Sequence, residues 1–185
     1  MTLWYTARGA GLAALIVLTL STALGAITSV KIRSAATRVV TQYTHRAAAL
    51  IGLGLIVVHI GTLLADPKAG IGAYGTLVPF ASAYRPNAVA LGSIAAYVFI
   101  VVAALGLARG RLAASARGAR VWRYLHTPAH GAWALAMLHG INAGSDAGLP
   151  WARTLWVLCL LTGLGSLLAR LGGQARRRLV VGATR

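Results

Sequence analysis

Hydrophobic positions in this chain fall into five long runs, at about 9–30, 45–65, 88–108, 125–143 and 150–169. Each approaches the roughly 20 residues that a helix needs to cross about 30 Å of hydrocarbon. The first run is too long for the apolar part of a signal peptide, and its leading segment carries one basic residue, Arg8. Between the second and third runs lies the longest connection, 66–87, where Pro67, Gly70, Gly72, Gly75, Pro79 and Pro86 interrupt any continuous helix. Ile71, Tyr74, Leu77, Val78, Phe80 and Tyr84 keep that segment apolar. The pattern predicts an all-α membrane bundle of about five transmembrane helices, with 66–87 folded back at one interface as a cap.

Composition agrees. Of 185 residues, 58% are hydrophobic and 11% charged, with a mean hydropathy of +0.73; a soluble domain would carry about 25% charged residues. Eighteen Lys and Arg stand against two acidic residues, Asp66 and Asp146. That excess excludes nucleic-acid binding as its cause, because the basic residues sit in short segments between apolar runs and form no stripe on a polar domain. Lys31, Arg33, Arg38 and Arg46, then Arg109, Arg111, Arg117, Arg120 and Arg123, then Arg170, Arg176, Arg177, Arg178 and Arg185 all fall on one side of the predicted bundle. Arg8, Lys68, Arg85, Arg153 and both aspartates fall on the other. The positive-inside rule therefore predicts the N-terminus outside and the C-terminus in the cytoplasm. The basic tail, 171–185, lies against anionic lipid or is a solvated flank. The one cysteine, Cys159, leaves no disulfide, no Cys-rich metal site and no covalent haem attachment to consider.

The five histidines are confined to two runs: His45 and His59 on the second, His126, His130 and His139 on the fourth. Ionisable residues within a membrane are costly and mark function. His45 and His59 are fourteen residues apart, about 21 Å of helical rise, and His126 and His139 thirteen apart, about 20 Å. One run intervenes, so the two helices run parallel; His45 comes level with His126 and His59 with His139. Two imidazole pairs at two depths suit two metals held by a macrocycle that supplies the equatorial nitrogens itself, whereas zinc would call for thiolate or carboxylate ligands as well. Small residues between the histidines, Gly52 and Gly54 on one run and Gly131, Ala132, Ala134 and Ala136 on the other, either make room for such a group or let helices pack closely. Thirteen residues leave His126 and His139 about 140° apart on an ideal helix. An irregular turn at Thr127-Pro128 is the expected remedy. His130 is the competing partner for His45, at a spacing of nine from His139 that matches the other run poorly; otherwise it touches the edge of the bound group.

These residues resemble a family. His45 with His59, and Trp122-Arg123-Tyr124-Leu125-His126 with His139-Gly140, are similar to the haem helices of the ferric reductase-like transmembrane domain, which occurs in ferric reductases, NADPH oxidases and the haem subunit of the bacterial methionine sulfoxide reductase system. The stretches RGAGLAALIVLTLSTALG, LVPFASAYRP and HGINAGSD resemble its stand-alone bacterial, particularly actinobacterial, version, so the likeness covers 1–170. The resemblance implies two b-type haems, with axial ligands His45 and His126 at the cytoplasmic level and His59 and His139 at the outer one, in a multi-pass protein of the bacterial plasma membrane. It departs where the family carries a flavin and nicotinamide domain: the sixteen residues after Ala169 hold no dinucleotide-binding glycine motif. Electrons would come from a partner flavoprotein or a quinol and leave to an external acceptor. A haem-free structural subunit is the reading from a different class. Arg46 and Arg123 inside, and Arg85, Arg153 and Lys68 outside, are candidate counter-charges for haem propionates. Trp133, midway between His126 and His139, is a candidate to fill the space between macrocycles or to pack in the core. Asp66 and Asp146 each follow an outer histidine by seven residues, as candidates for binding a cationic partner or as helix-end polarity.

Overall fold

The computed structural model describes residues 2–28 and 34–182; Lys31, Arg33 and Arg185 of the predicted basic segments lie outside them. The chain is 85% helix, with no strand among the described residues. Four helices are long and apolar enough to cross a membrane: α1 (Thr2–Thr28), α2 (Ala35–Ala65), α4 (Pro86–Leu107) and α8 (Pro150–Gly182). Between α2 and α4 come a single 3-10 turn (Pro67–Ala69) and the short α3 (Ala73–Leu77). Between α4 and α8 come α5 (Arg109–Leu112), α6 (Ala116–His126) and α7 (Ala129–Ala143).

The fourth predicted run is therefore broken. Thr127 N–H is shared between Arg123 O at 3.1 Å and Tyr124 O at 3.3 Å, and Pro128, at the N-cap of α7, has no N–H to continue the ladder. What remains, α7, is 15 residues long, about 22 Å of rise, and reaches bilayer thickness only together with α6.

Helix ends are fastened by local polar groups. Ser34 Oγ accepts from Thr37 N–H at the start of α2, and Ser115 Oγ from Gly118 N–H at the start of α6. The Asp66 carboxylate accepts from Lys68 N–H at 3.0 Å, so this aspartate serves the turn it sits in. The segment 66–87 does fold back over the bundle. Ser93 Oγ–H donates to Thr76 O at 2.6 Å, Tyr97 O–H to Leu77 O, and Tyr84 O–H to Ala143 O at 3.1 Å.

Helices α1, α2, α4 and α7 surround a central column, and α8 packs outside against α1 and α7. The buried core lies among α1, α4, α7 and α8: Leu15, Leu18, Phe99, Trp133, Met137, Trp156 and Cys159. Helix α2 contributes one buried residue, Gly52, whose Cα lies against Leu18. The rest of its surface is exposed and apolar, including Val57, Ile51 and Leu50, as a lipid-facing helix requires.

Candidate functional site

The histidines meet as their spacing predicts. His45 and His126 have ring centroids 6.3 Å apart with planes at 75°. His59 and His139, at the other end of the column, are also 6.3 Å apart, at 77°. The break at Thr127-Pro128 makes this possible: His126 ends α6 while His139 rides on α7, so the 140° mismatch of one straight helix does not arise.

Three of the four rings are held by backbone carbonyls of a neighbouring helix. His59 Nδ1–H donates to Ala7 O at 2.7 Å, His45 Nδ1–H to Ser21 O at 2.8 Å, and His139 Nδ1–H to Ala88 O at 2.8 Å. Ser21 Oγ also lies 3.1 Å from His45 Nδ1. A helical carbonyl already engaged in its own ladder can accept this second bond only if nothing stands over it. In each case a glycine sits one turn further on. A Cβ at Gly11 would lie 2.9 Å from His59 Nδ1, at Gly25 3.0 Å from His45 Cε1, and at Gly92 2.7 Å from His139 Nδ1. Gly106 stands in the same relation to His126, with 3.5 Å to Cε1. Val102 O completes the pattern by position and acts on the His126 ring, but without the geometry of a hydrogen bond, and His126 Nδ1 is buried with no partner.

A carbonyl at Nδ1 fixes the tautomer: Nδ1 carries the proton and Nε2 keeps the lone pair. Each such ring is a preset ligand with Nε2 free for a metal.

An offset of 81 residues relates everything in this arrangement. It carries Ala7, Gly11, Leu18, Ser21, Gly25 and His45 onto Ala88, Gly92, Phe99, Val102, Gly106 and His126; His59 maps onto His139 at an offset of 80. The α1–α2 hairpin and the α4–α7 hairpin are two copies of one device, related about the bundle axis, and each histidine pair takes one ring from each copy. This repeat, and the glycines and carbonyls it places, escaped the reading of single helices. The small residues singled out there lie elsewhere: Gly52 seats Leu18, and a Cβ at Gly54 or Gly131 would meet nothing within 4 Å.

Around His59 and His139 a mainly apolar cavity of about 210 Å³ reaches toward the cap, bounded by Ile71, Thr76 and Tyr84 and floored at mid-height by Leu18 and Phe99. Its mouth holds Arg8 and Asp146, which form an ion pair with side chains 30% and 15% exposed. Arg8, absent from the predicted counter-charges, is the cation on this cavity. The predicted ones do not line it. Arg85 is exposed, donates to Asn142 O and lies over the Tyr84 ring at 5.4 Å, while Arg46 and Arg123 are exposed at the opposite end. Asp146, through Arg8, has a structural partner.

Two other expectations are corrected. Trp133 is buried but does not reach the space between the histidine pairs. Its indole N–H donates to Thr19 Oγ1 at 2.9 Å and its ring lies on Gly163, which directs it toward α1 and α8. His130 does not face His45: its Nδ1 lies 3.3 Å from Thr127 O on its own turn, and its Nε2 is buried without a partner.

Among the described residues no three His, Cys, Asp or Glu side chains gather into a cage for a bare metal ion. The site offers two imidazoles per level, glycine-lined walls and an apolar cavity. Comparison with protein-family models, with curated proteins and with solved structures gives no match for the chain.

Proposed function

We propose that the chain binds two b-type haems, one between His45 and His126 and one between His59 and His139, and carries electrons across the cell membrane. The observation that carries this reading is the matched geometry of the two pairs. A metal–imidazole bond of about 2.0–2.1 Å, with about 1.1 Å from ring nitrogen to centroid, puts two axial imidazoles about 6.3 Å apart centre to centre. Both pairs have that separation. An edge-to-face ring pair occupies the same range of distances, but it has no need of Nδ1–H bonds that fix the tautomer on three of the four rings.

The chain's residues do the rest. Gly11, Gly25, Gly92 and Gly106 let each ring approach the facing helix, Leu18 and Phe99 separate the two levels, and the apolar walls keep water from the outer one. Arg8 is the counter-charge at the outer mouth. Haem so bound supplies a one-electron ferric/ferrous couple tuned by axial ligation and burial.

The orientation follows from charge. Four long helices plus α6–α7 make five crossings, with the N-terminus and the 66–87 cap outside and the arginine-rich α5–α6 segment in the cytoplasm. The donor is a partner flavoprotein or a membrane quinol, and the acceptor lies outside; reduction by quinol that a quinone-site inhibitor blocks identifies the second donor.

The test is a pyridine haemochrome assay with haem-to-protein stoichiometry. Two haems are expected for the wild type and for His130→Ala, and about one for His59→Ala or His126→Ala. A wild type without haem, or His130→Ala losing one as His126→Ala keeps both, overturns the assignment.

A further inference from the structure

The two copies of the hairpin differ at one histidine. Three rings are locked by carbonyls, and His126 is not. In place of that bond it has a stack. The Trp122 ring lies on His126 at 4.7 Å between centroids with planes 20° apart, and the Arg109 guanidinium lies over the Trp122 ring at 5.0 Å. The indole is itself fastened, since its N–H donates to Leu105 O at 2.9 Å, next to Gly106 on α4. His126 is thus gripped between the glycine-lined wall of α4 and a tryptophan one turn back on its own helix.

The offset of 81 residues puts Thr41 where Trp122 stands and Thr28 where Arg109 stands. Thr41 and Thr28 bond only to their own helix, Thr41 Oγ1–H to Thr37 O and Thr28 Oγ1–H to Gly25 O. The stack was added to one copy alone, on the side of the bundle where the basic segments lie.

We propose that Trp122 is the positioning residue of the inner haem site and that, through it, Arg109 tunes that site's potential separately from the outer one. The inference rests on the haem reading above. A carbonyl on Nδ1–H makes an imidazole more basic, which stabilises the ferric state. The His126 ring lacks that bond, and its orientation comes from π-stacking instead. The guanidinium is a permanent positive charge within cation–π distance of the stack. The ferric site carries one more positive charge than the ferrous site, so Arg109 favours reduction there. At the outer level the nearest cation, Arg8, is paired with Asp146 and has no such bias.

The experiment uses purified, haem-loaded protein in detergent: Arg109→Gln, Trp122→Leu and Trp122→Phe against wild type, read by redox titration and by low-temperature EPR of the ferric state. Arg109→Gln should lower one of two midpoint potentials and leave the other in place. Low-spin ferric signals depend on the angle between the axial rings, which here is 75° at the inner pair. Trp122→Leu should therefore shift or broaden one of two signals, and Trp122→Phe, which keeps a stacking ring, should restore it. Wild-type protein carrying two haems whose spectra and potentials are unmoved by Arg109→Gln and Trp122→Leu overturns this proposal alone, as do shifts equal at both sites. A haem-free wild type overturns it together with the function on which it rests. Arg109→Gln changes an exposed side chain and keeps the question answerable if Trp122→Leu does not fold.

Discussion

Adding one methyl group at Gly92 tests the arrangement most directly. A Cβ there would lie 2.7, 2.8 and 2.9 Å from Nδ1, Cε1 and Cγ of His139, so no single flexible atom can step aside. The ring must retreat from α4 by about 0.7 Å to regain van der Waals distance. Ala88 O, one turn earlier on the same helix, then loses its 2.8 Å bond to Nδ1–H. Overpacking costs about 1–3 kcal/mol, and a buried N–H left unpaired costs about 1–3 kcal/mol. Alanine recovers about 1 kcal/mol over glycine in a helix. The net is roughly 2–4 kcal/mol of destabilisation, which for a domain of this size is on the order of 5–15 °C in melting temperature.

The same calculation ranks a series. The closest approach is 2.7 Å at Gly92, 2.9 Å at Gly11, 3.0 Å at Gly25 and 3.5 Å at Gly106, while Gly54 has nothing within 4 Å. Thermal melts of the five alanine variants in detergent should fall in that order, with Gly92→Ala lowest, Gly106→Ala near wild type, and Gly54→Ala at or above it. Haem retention should follow the same order, because a shift of 0.7 Å exceeds the roughly 0.2 Å tolerance of a metal–ligand distance. Gly92→Ala melting with Gly54→Ala, or an inverted ranking, would refute the idea that these glycines exist to seat histidines.

Two further variants separate packing from site. Trp133→Phe removes the indole N–H that meets Thr19 Oγ1 in the core; it should cost about 1–3 kcal/mol in a denaturation series while leaving haem content at the wild-type value, and loss of haem would return Trp133 to the site. Asp146→Asn unpairs Arg8 at the mouth of the outer cavity. With both side chains partly exposed the cost should be about 1–2 kcal/mol, measured as a lower melting temperature that 1 M salt imposes on the wild type as well; equal stability with and without the pair would place Arg8 free in solution.

Much of this was legible from residue order. Long apolar runs leave a helix no alternative in lipid, so α1, α2, α4 and α8 sit where hydropathy puts them. The confinement of histidine to two runs, at spacings of fourteen and thirteen, announces two levels. The odd thirteen, beside Thr127-Pro128, announces the break between α6 and α7. What stayed hidden depends on the facing helix. Gly54 and Gly131 looked like space beside the histidines, yet the space is made by Gly11, Gly25, Gly92 and Gly106 on α1 and α4, which carry no histidine. A glycine matters there because it uncovers the carbonyl one turn before it, a relation that appears only when two helices are placed together. Arg8 escaped for the same reason, since its partner Asp146 lies 138 residues away.

Duplication explains why one solution appears twice. A carbonyl, a glycine and a histidine make a seat for a single ring, and one hairpin carries two such seats at either end. Bringing two hairpins together about an axis turns four half-sites into two complete ones without any new contact having to be invented. The same symmetry makes departures informative. Where both copies agree, as at Gly11 and Gly92, the shared feature is needed to hold a ring. Where they differ, as at Thr41 and Trp122, the two levels have been free to diverge, and the added indole and guanidinium fall on the level whose fourth carbonyl bond is missing. If each copy were merely packing, the replacement for a lost hydrogen bond would have no reason to sit on the histidine itself.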